Sequence, residues 1–216
     1  MITHPKDEPE HNLAEHAYAE LSRLILERAL PGGSAVVEQR LGDQLGITRT
    51  PMREAMLRLA AERMLVKQGS RTFTVRQISA SEYFQSMKVR ELLECEAIRL
   101  AIGKIDEADI QRLRRDITRL GEAPSQLSAH WQVDDRLHVM FPDSSGNAVL
   151  SRLVREVRIS TRLFEIAGPF QRVRADAEEH LAILDAFSLG DADAAAAAMR
   201  RHIRNLVADV LLILRG

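Results

Sequence analysis

Apolar residues recur at three- and four-residue spacing near the start of the chain. Ala17, Leu21, Leu24, Ile25 and Ala29 fall on one stripe, which predicts an amphipathic helix over residues 13–30. Pro31-Gly32-Gly33 stops it, and the short run Ala35-Val36-Val37 predicts a small strand. Leu41 and Leu45, four apart, share the face of a second helix. Gly46 ends that helix, because glycine takes the left-handed turn conformation without a Cβ clash. Thr48 or Thr50 can cap a third helix, with Pro51 tolerated in its first turn. Met56, Leu57 and Leu59 are expected to form its buried face, while Arg49 and Arg53 share the opposite one. Leu65-Val66-Lys67 and Thr72-Phe73-Thr74-Val75 then flank a polar connection containing Gly69, a hairpin pattern.

Beyond Val75 no strand-like alternation of any length follows. After a short linker, the periodicity predicts six helices, over residues 80–103, 107–120, 124–141, 147–167, 171–189 and 191–214. Gly121, Pro124, the stretch Pro142 to Gly146, Gly168-Pro169 and Gly190-Asp191 punctuate them. Ala194 to Ala198 belongs to the last helix, since alanine has the highest helix propensity, and Asp191 can cap its start. The predicted fold class is mainly α. A winged helix-turn-helix occupies residues 12–77, and an antiparallel all-α bundle occupies residues 80–216.

Composition adds little until its distribution is considered. The formal net charge is −1, which excludes a generic polyanion binder. Between Arg40 and Arg76, however, eight basic residues face three acidic ones. That patch lies on the predicted helix-turn-helix and hairpin. A helix whose N-terminal turn enters the major groove presents free amides to phosphate and Arg side chains to guanine edges. The candidate contacts to double-stranded operator DNA are Arg40, Thr48, Arg49, Thr50 and Arg53, with Arg71 at the hairpin tip. The single cysteine, Cys95, excludes an internal disulfide, and its neighbours Leu92, Leu93 and Ile98 suggest a buried helix face. The first ten residues lack the apolar stretch of a signal peptide, and no apolar run approaches the length of a membrane span. A cytoplasmic protein without membrane contact is expected.

The polar residues of the bundle carry the candidate chemistry. Asp134 and His138 are four apart and share a helix face, with Asp135 a competitor for Asp134. His180 and His202 lie on the last two helices, each roughly 13–17 Å from the turn at Gly190 by helical rise. An antiparallel hairpin therefore sets them at similar heights. One carboxylate and three imidazoles from three helices suit a divalent transition metal, zinc or nickel. Such a metal could activate water for hydrolysis or be purely structural. There is no nucleophile motif, no phosphate loop and no convincing extra base; Glu179 adjoins His180, but adjacent helix residues point in different directions. A non-enzymatic role is expected.

The run Thr48-Arg49-Thr50-Pro51-Met52-Arg53-Glu54-Ala55-Met56 resembles the recognition-helix signature of the GntR family of bacterial transcription regulators. The resemblance covers residues 14–76 and departs at Arg63 and Thr72, where glycines are usual. The second half resembles the FCD ligand-sensing domain of one GntR subfamily. It does so through Val89-Arg90-Glu91-Leu92-Leu93-Glu94, Asp134-Asp135-Arg136-Leu137-His138, Ser144-Ser145-Gly146-Asn147, the stretch from Glu179 to Ala186, and His202. The resemblance implies that Asp134, His138, His180 and His202 bind a metal, and that the effector is a small organic acid. Arg90 and Arg162 are candidates to hold its carboxylate, and Trp131, three residues before Asp134, could line the cavity. A homodimeric, ligand-controlled repressor or activator, with repression favoured, on a roughly palindromic operator is the functional expectation.

Overall fold

The computed structural model describes residues 10–70, 72–125, 128–169 and 171–215. Its contacts divide the chain into two compact units, Met1–Ala80 with Ile159–Gly168, and Ser81–Arg158 with Pro169–Gly216. The fold is mainly helical, with one small sheet.

In the first unit, α1 (Glu10–Leu26) packs against α3 (Arg49–Ala61). Ala17, Leu21 and Ile25 meet Met52, Met56 and Leu59 in a core where none is more than 2% exposed. Burying each of the larger side chains is worth about 1.5–3 kcal/mol. Helix α1 ends at Leu26 rather than Leu30, because Arg28 adopts a left-handed φ of 62° and turns the chain before Pro31. Leu57 is 42% exposed, against expectation. It stands one helical turn beyond Arg53 and so shares the face that α3 turns away from α1.

Between these helices, α2 (Glu38–Leu45) buries Leu41 and stops at Gly46, whose φ of 67° is left-handed. Gly42 allows the tightest approach of the turn, since a Cβ there would lie 2.8 Å from the Ile47 carbonyl oxygen. Three antiparallel strands, β1 (Ala35–Val37), β2 (Leu65–Lys67) and β3 (Thr72–Val75), form a sheet in the order β1-β3-β2. Val36 pairs with Phe73, and Leu65 with Val75, so the alternation in β3 buries Phe73 and Val75 while Thr72 and Thr74 stay half-exposed. Arg63, between α3 and β2, has a φ of 62°. This is where the resemblance expects glycine, and the backbone shows why: the turn is left-handed there.

The second unit is built from helices. These are α4 (Ala80–Ala101), α5 (Glu107–Gly121), α6 (Ser128–Ser144), α8 (Val173–Ser188), α9 (Ala192–Arg215) and the part of α7 (Ala148–Ala167) up to Arg158. Helix α8 packs against α5 and α9, and α5 against α6. Ala195 and Ala196 are fully buried. As expected, Asp191 caps α9, its Oδ1 accepting from the Ala194 amide at 2.9 Å. Helix α6 begins at Ser128 rather than Pro124 and continues to Ser144 with Pro142 in its last turn; residues 126–127 of the expected helix lie outside the described residues. Cys95 is buried and its thiol donates to the Ala196 carbonyl at 3.3 Å. Leu92, expected beside it in the core, is 62% exposed. It falls two residues from both Arg90 and Glu94, about 200° around the helix from the buried stripe.

Candidate functional site

Helix α3 offers its N-terminal turn to solvent. Arg49, Thr50 and Arg53 are all exposed, as is Arg40 on α2. Thr48 is the N-cap by backbone geometry, with φ −69° and ψ 164°, and its hydroxyl makes no capping hydrogen bond. It too is exposed. Arg71 lies outside the described residues. The buried Met52, Ala55, Met56 and Leu59 fix the opposite side of the helix, so packing against α1 dictates which residues face outward.

The second unit draws Asp134, His138, His180 and His202 together. One donor atom from each lies within 4.8 Å of all the others. Helix α6 supplies Asp134 and His138, one turn apart; α8 supplies His180 and α9 His202. Asp134 Oδ1 stands 3.6 Å from Nε2 of both His138 and His180, and the Nε2 atoms of His180 and His202 are 3.4 Å apart. Of Asp134 and Asp135, it is Asp134 that lies in the cluster. The Asp135 side chain is half exposed and pairs with Arg158 at 2.5 Å.

Two of the three imidazoles are oriented by buried or half-buried carboxylates. Glu94 on α4 holds His138 Nδ1. Glu179 Oε2 holds His202 Nδ1 at 2.7 Å. A carboxylate on Nδ1 fixes the proton there and leaves the Nε2 lone pair aimed at the cluster. His138 Nε2 is buried without a hydrogen-bond partner. A buried, unsatisfied acceptor costs about 1–3 kcal/mol, and a cation in the cluster would remove that penalty. The donor set fits a divalent transition metal: the four residues would be its ligands, and the cation would supply a Lewis acid toward an anionic group.

Electrostatics agree with the geometry. Burial pushes the pKa of His138 and His202 down to about 4, and that of His180 to about 3. Around neutral pH all three rings are uncharged, the form a metal requires. Burial alone would raise Glu94, but the Arg90 guanidinium and His138 hold it well below the usual carboxylate range. Glu179 is held down at about 2, burial being outweighed by its bonds to His202 and Asn205. Asp134 is itself clamped, its Oδ2 2.8 Å from Arg158 Nη2.

The expected carboxylate anchors are placed differently. Arg90 is 2% exposed and donates Nε to Glu94 Oε1 at 2.6 Å, with Nη2 3.4 Å from His138 Nδ1. Its guanidinium thus orients a second-layer carboxylate of the cluster. Arg162 is buried on α7, one turn after Arg158, in the segment that groups with the first unit. Trp131 lines a small cavity of about 30 Å³, water-sized, together with Asp134 and His180. Glu94 and Arg158 were not foreseen. Glu94 stands four residues after Arg90, a spacing that already hinted at an ion pair.

The chain matches the FCD domain family over residues 85–205 and the bacterial regulatory proteins of the gntR family over residues 13–75. It belongs to the GntR family and carries an FCD domain. It is 30% identical over 186 residues to the Nta operon transcriptional regulator of Aminobacter aminovorans, covering 85% of this chain and 88% of that one. It is 30% identical to the transcriptional regulator LutR of Bacillus subtilis, covering 84% and 92%. The fold superimposes on that of E. coli McbR/YncC with a TM-score of 0.76 at 20% identity, covering 98% and 99%. This GntR-family chain is therefore a DNA-binding regulator of transcription with a ligand-binding FCD domain. Its family and relatives are regulators and not enzymes, which removes the hydrolase alternative. None of its described helices is long and apolar enough to cross a membrane.

Proposed function

We propose that this regulator is a metal-dependent sensor of a small carboxylate that represses transcription as a cytoplasmic homodimer. Residues 12–77 form the DNA-binding domain and residues 80–216 the sensing and dimerising domain. Asp134, His138, His180 and His202 hold zinc or nickel. The single observation that carries this reading is the convergence of three neutral imidazoles on Asp134, with His138 Nε2 buried and unsatisfied. A small anion entering such a site needs compensation for its lost hydration, which a Lewis-acid cation or an Arg supplies. Arg90, within the same unit as the cluster, remains a candidate side chain for that role. Two copies would present two identical α3 helices to a palindromic operator through Arg40, Thr48, Arg49, Thr50 and Arg53, with Arg71 on the wing. The effector acts by binding one arrangement of the dimer better than the other.

The test is a thermal-shift screen of the metal-loaded protein against small carboxylates, with and without a chelator. Native-state binding raises the melting temperature by mass action. A hit that vanishes on chelation supports a metal-anchored effector. Metal analysis of the purified protein showing no bound transition metal overturns the metal site. A melting temperature that responds to chelator but to no carboxylate leaves the metal structural.

A further inference from the structure

Glu179 does more than meet His202. Its Oε2 also accepts from Arg172 Nη2 at 2.8 Å, and its Oε1 accepts from Asn205 Nδ2 at 2.7 Å. Arg172 stands immediately before α8, its side chain only 7% exposed. Its Nε reaches Asp176 Oδ1 at 2.9 Å and its Nη1 pairs with Asp209 on α9. Each nitrogen of the fork thus takes a different carboxylate, from two helices. Asp176, Glu179 and Asp209 are thus neighbouring anions that share this guanidinium, which offsets the repulsion of like charges at this range.

We infer that Arg172 is a positioning residue for His202: it fixes the Glu179 carboxylate, and through it the ring plane and proton position of that imidazole. The inference rests on the proposed metal site. Glu179 keeps 18% of its side chain exposed, so it has room to swing outward once Arg172 is gone. His202 would then lose the partner that keeps its Nε2 lone pair on the cluster, and lose the gain in ligand basicity that a carboxylate on Nδ1 confers. Arg suits the task better than Lys because its rigid fork engages several acceptors at once. Asp209 touches Arg172 but is 40% exposed and anchors only the far side of the fork.

The experiment loads the full-length, metal-stripped chain with Co²⁺ and reads both affinity, by competition with a chelating dye, and the visible ligand-field bands. R172Q is expected to bind Co²⁺ about 10-fold to 100-fold more weakly, the range seen when outer-shell partners are removed. Its bands should be shifted and its helical content unchanged. R172K, which keeps the charge but not the fork, should fall between, and D209N should stay within about threefold of wild type. A purely structural Arg172 would lower the melting temperature without moving the bands. R172Q with wild-type affinity and bands overturns the inference while leaving the metal site standing. A wild-type chain that takes up no Co²⁺ overturns the metal reading itself. Where R172Q does not fold, R172K decides: shifted bands with weakened affinity support the inference, and wild-type values for both overturn it.

Discussion

Glu94 and His138 are 44 positions apart in the chain, yet they share one fully buried hydrogen bond, Oε2 to Nδ1. Helix α4 thereby sets the direction of a ring carried by α6. Replacing Glu94 by Gln keeps the shape but removes the charge that Arg90 and His138 share. Gln can present its NH₂ to Nδ1 and so invert the tautomer, putting the proton on Nε2. E94Q should weaken transition-metal binding by about 10-fold to 100-fold in a competition titration. Unchanged affinity would mean that the ring does not depend on its carboxylate.

The metal-free protein should be acid-sensitive over a defined window. In the unfolded chain each His titrates near 6.5, whereas burial holds His138, His180 and His202 at about 3 to 4 in the native state. Between those values the unfolded chain binds up to three more protons than the native one. Stability therefore falls as pH drops from 6.5 toward 4. The slope is at most about 4 kcal/mol per pH unit, three times the value for one group. Glu94 and Glu179, depressed in the native state, add a loss in the same direction below their unfolded pKa of about 4.5. Melting curves of chelator-treated protein at pH 7.5 and 5.5 should differ by about 10 °C, the acid sample melting first. Coincident curves would show that the imidazoles are not buried in their neutral form.

Arg49 and Arg53 stand exposed one turn apart at the start of α3. Replacing either with Ala should weaken operator binding by about 1–3 kcal/mol, the range of a base-edge contact. Packing against α1 involves neither side chain, so the melting temperature should not move. A gel-shift titration with unchanged affinity for both variants would remove them from the interface.

Arg63 offers a stabilising change. Its φ of 62° costs a residue with a Cβ about 1–2 kcal/mol, and its side chain is exposed. Its carbonyl receives Arg76 Nη1 at 3.4 Å, a backbone contact that survives any substitution. R63G should raise stability by about 0.5–1 kcal/mol, the relief being partly offset by the greater freedom of glycine in the unfolded chain. Denaturant unfolding monitored on the wild type and the variant checks this; a lower midpoint for R63G refutes it.

What could be read from the sequence was what depends on local spacing. Asp134 and His138 follow from a helical turn, and the matched heights of His180 and His202 follow from counting residues either side of Gly190. Exposure of Arg49 and Arg53 follows from the apolar positions between them. Leu57 and Leu92 were misjudged because an apolar side chain says nothing about its own phase. The buried stripe is set by its neighbours, and both residues lie off it. The roles of Glu94 and Arg158 at the cluster were hidden for a different reason, although the Arg90–Glu94 spacing allowed an ion pair. Each acts across a packed interface between helices, and a charged residue carries no sequence signal that separates a buried ion pair from a solvated one. The choice of Asp134 over Asp135 likewise needed Arg158 in place to settle which carboxylate faced the imidazoles.

Gly42 and Gly46 bracket the turn that launches α3, one closed to a Cβ by the Ile47 carbonyl and the other by its left-handed backbone. The angle at which α3 leaves α2 is thus fixed by positions that tolerate almost no change. Arg49, Thr50 and Arg53, by contrast, touch nothing that the fold requires. If those side chains read the operator as proposed, a lineage carrying this scaffold can exchange them and acquire new operator sequences one letter at a time without first passing through an unstable intermediate.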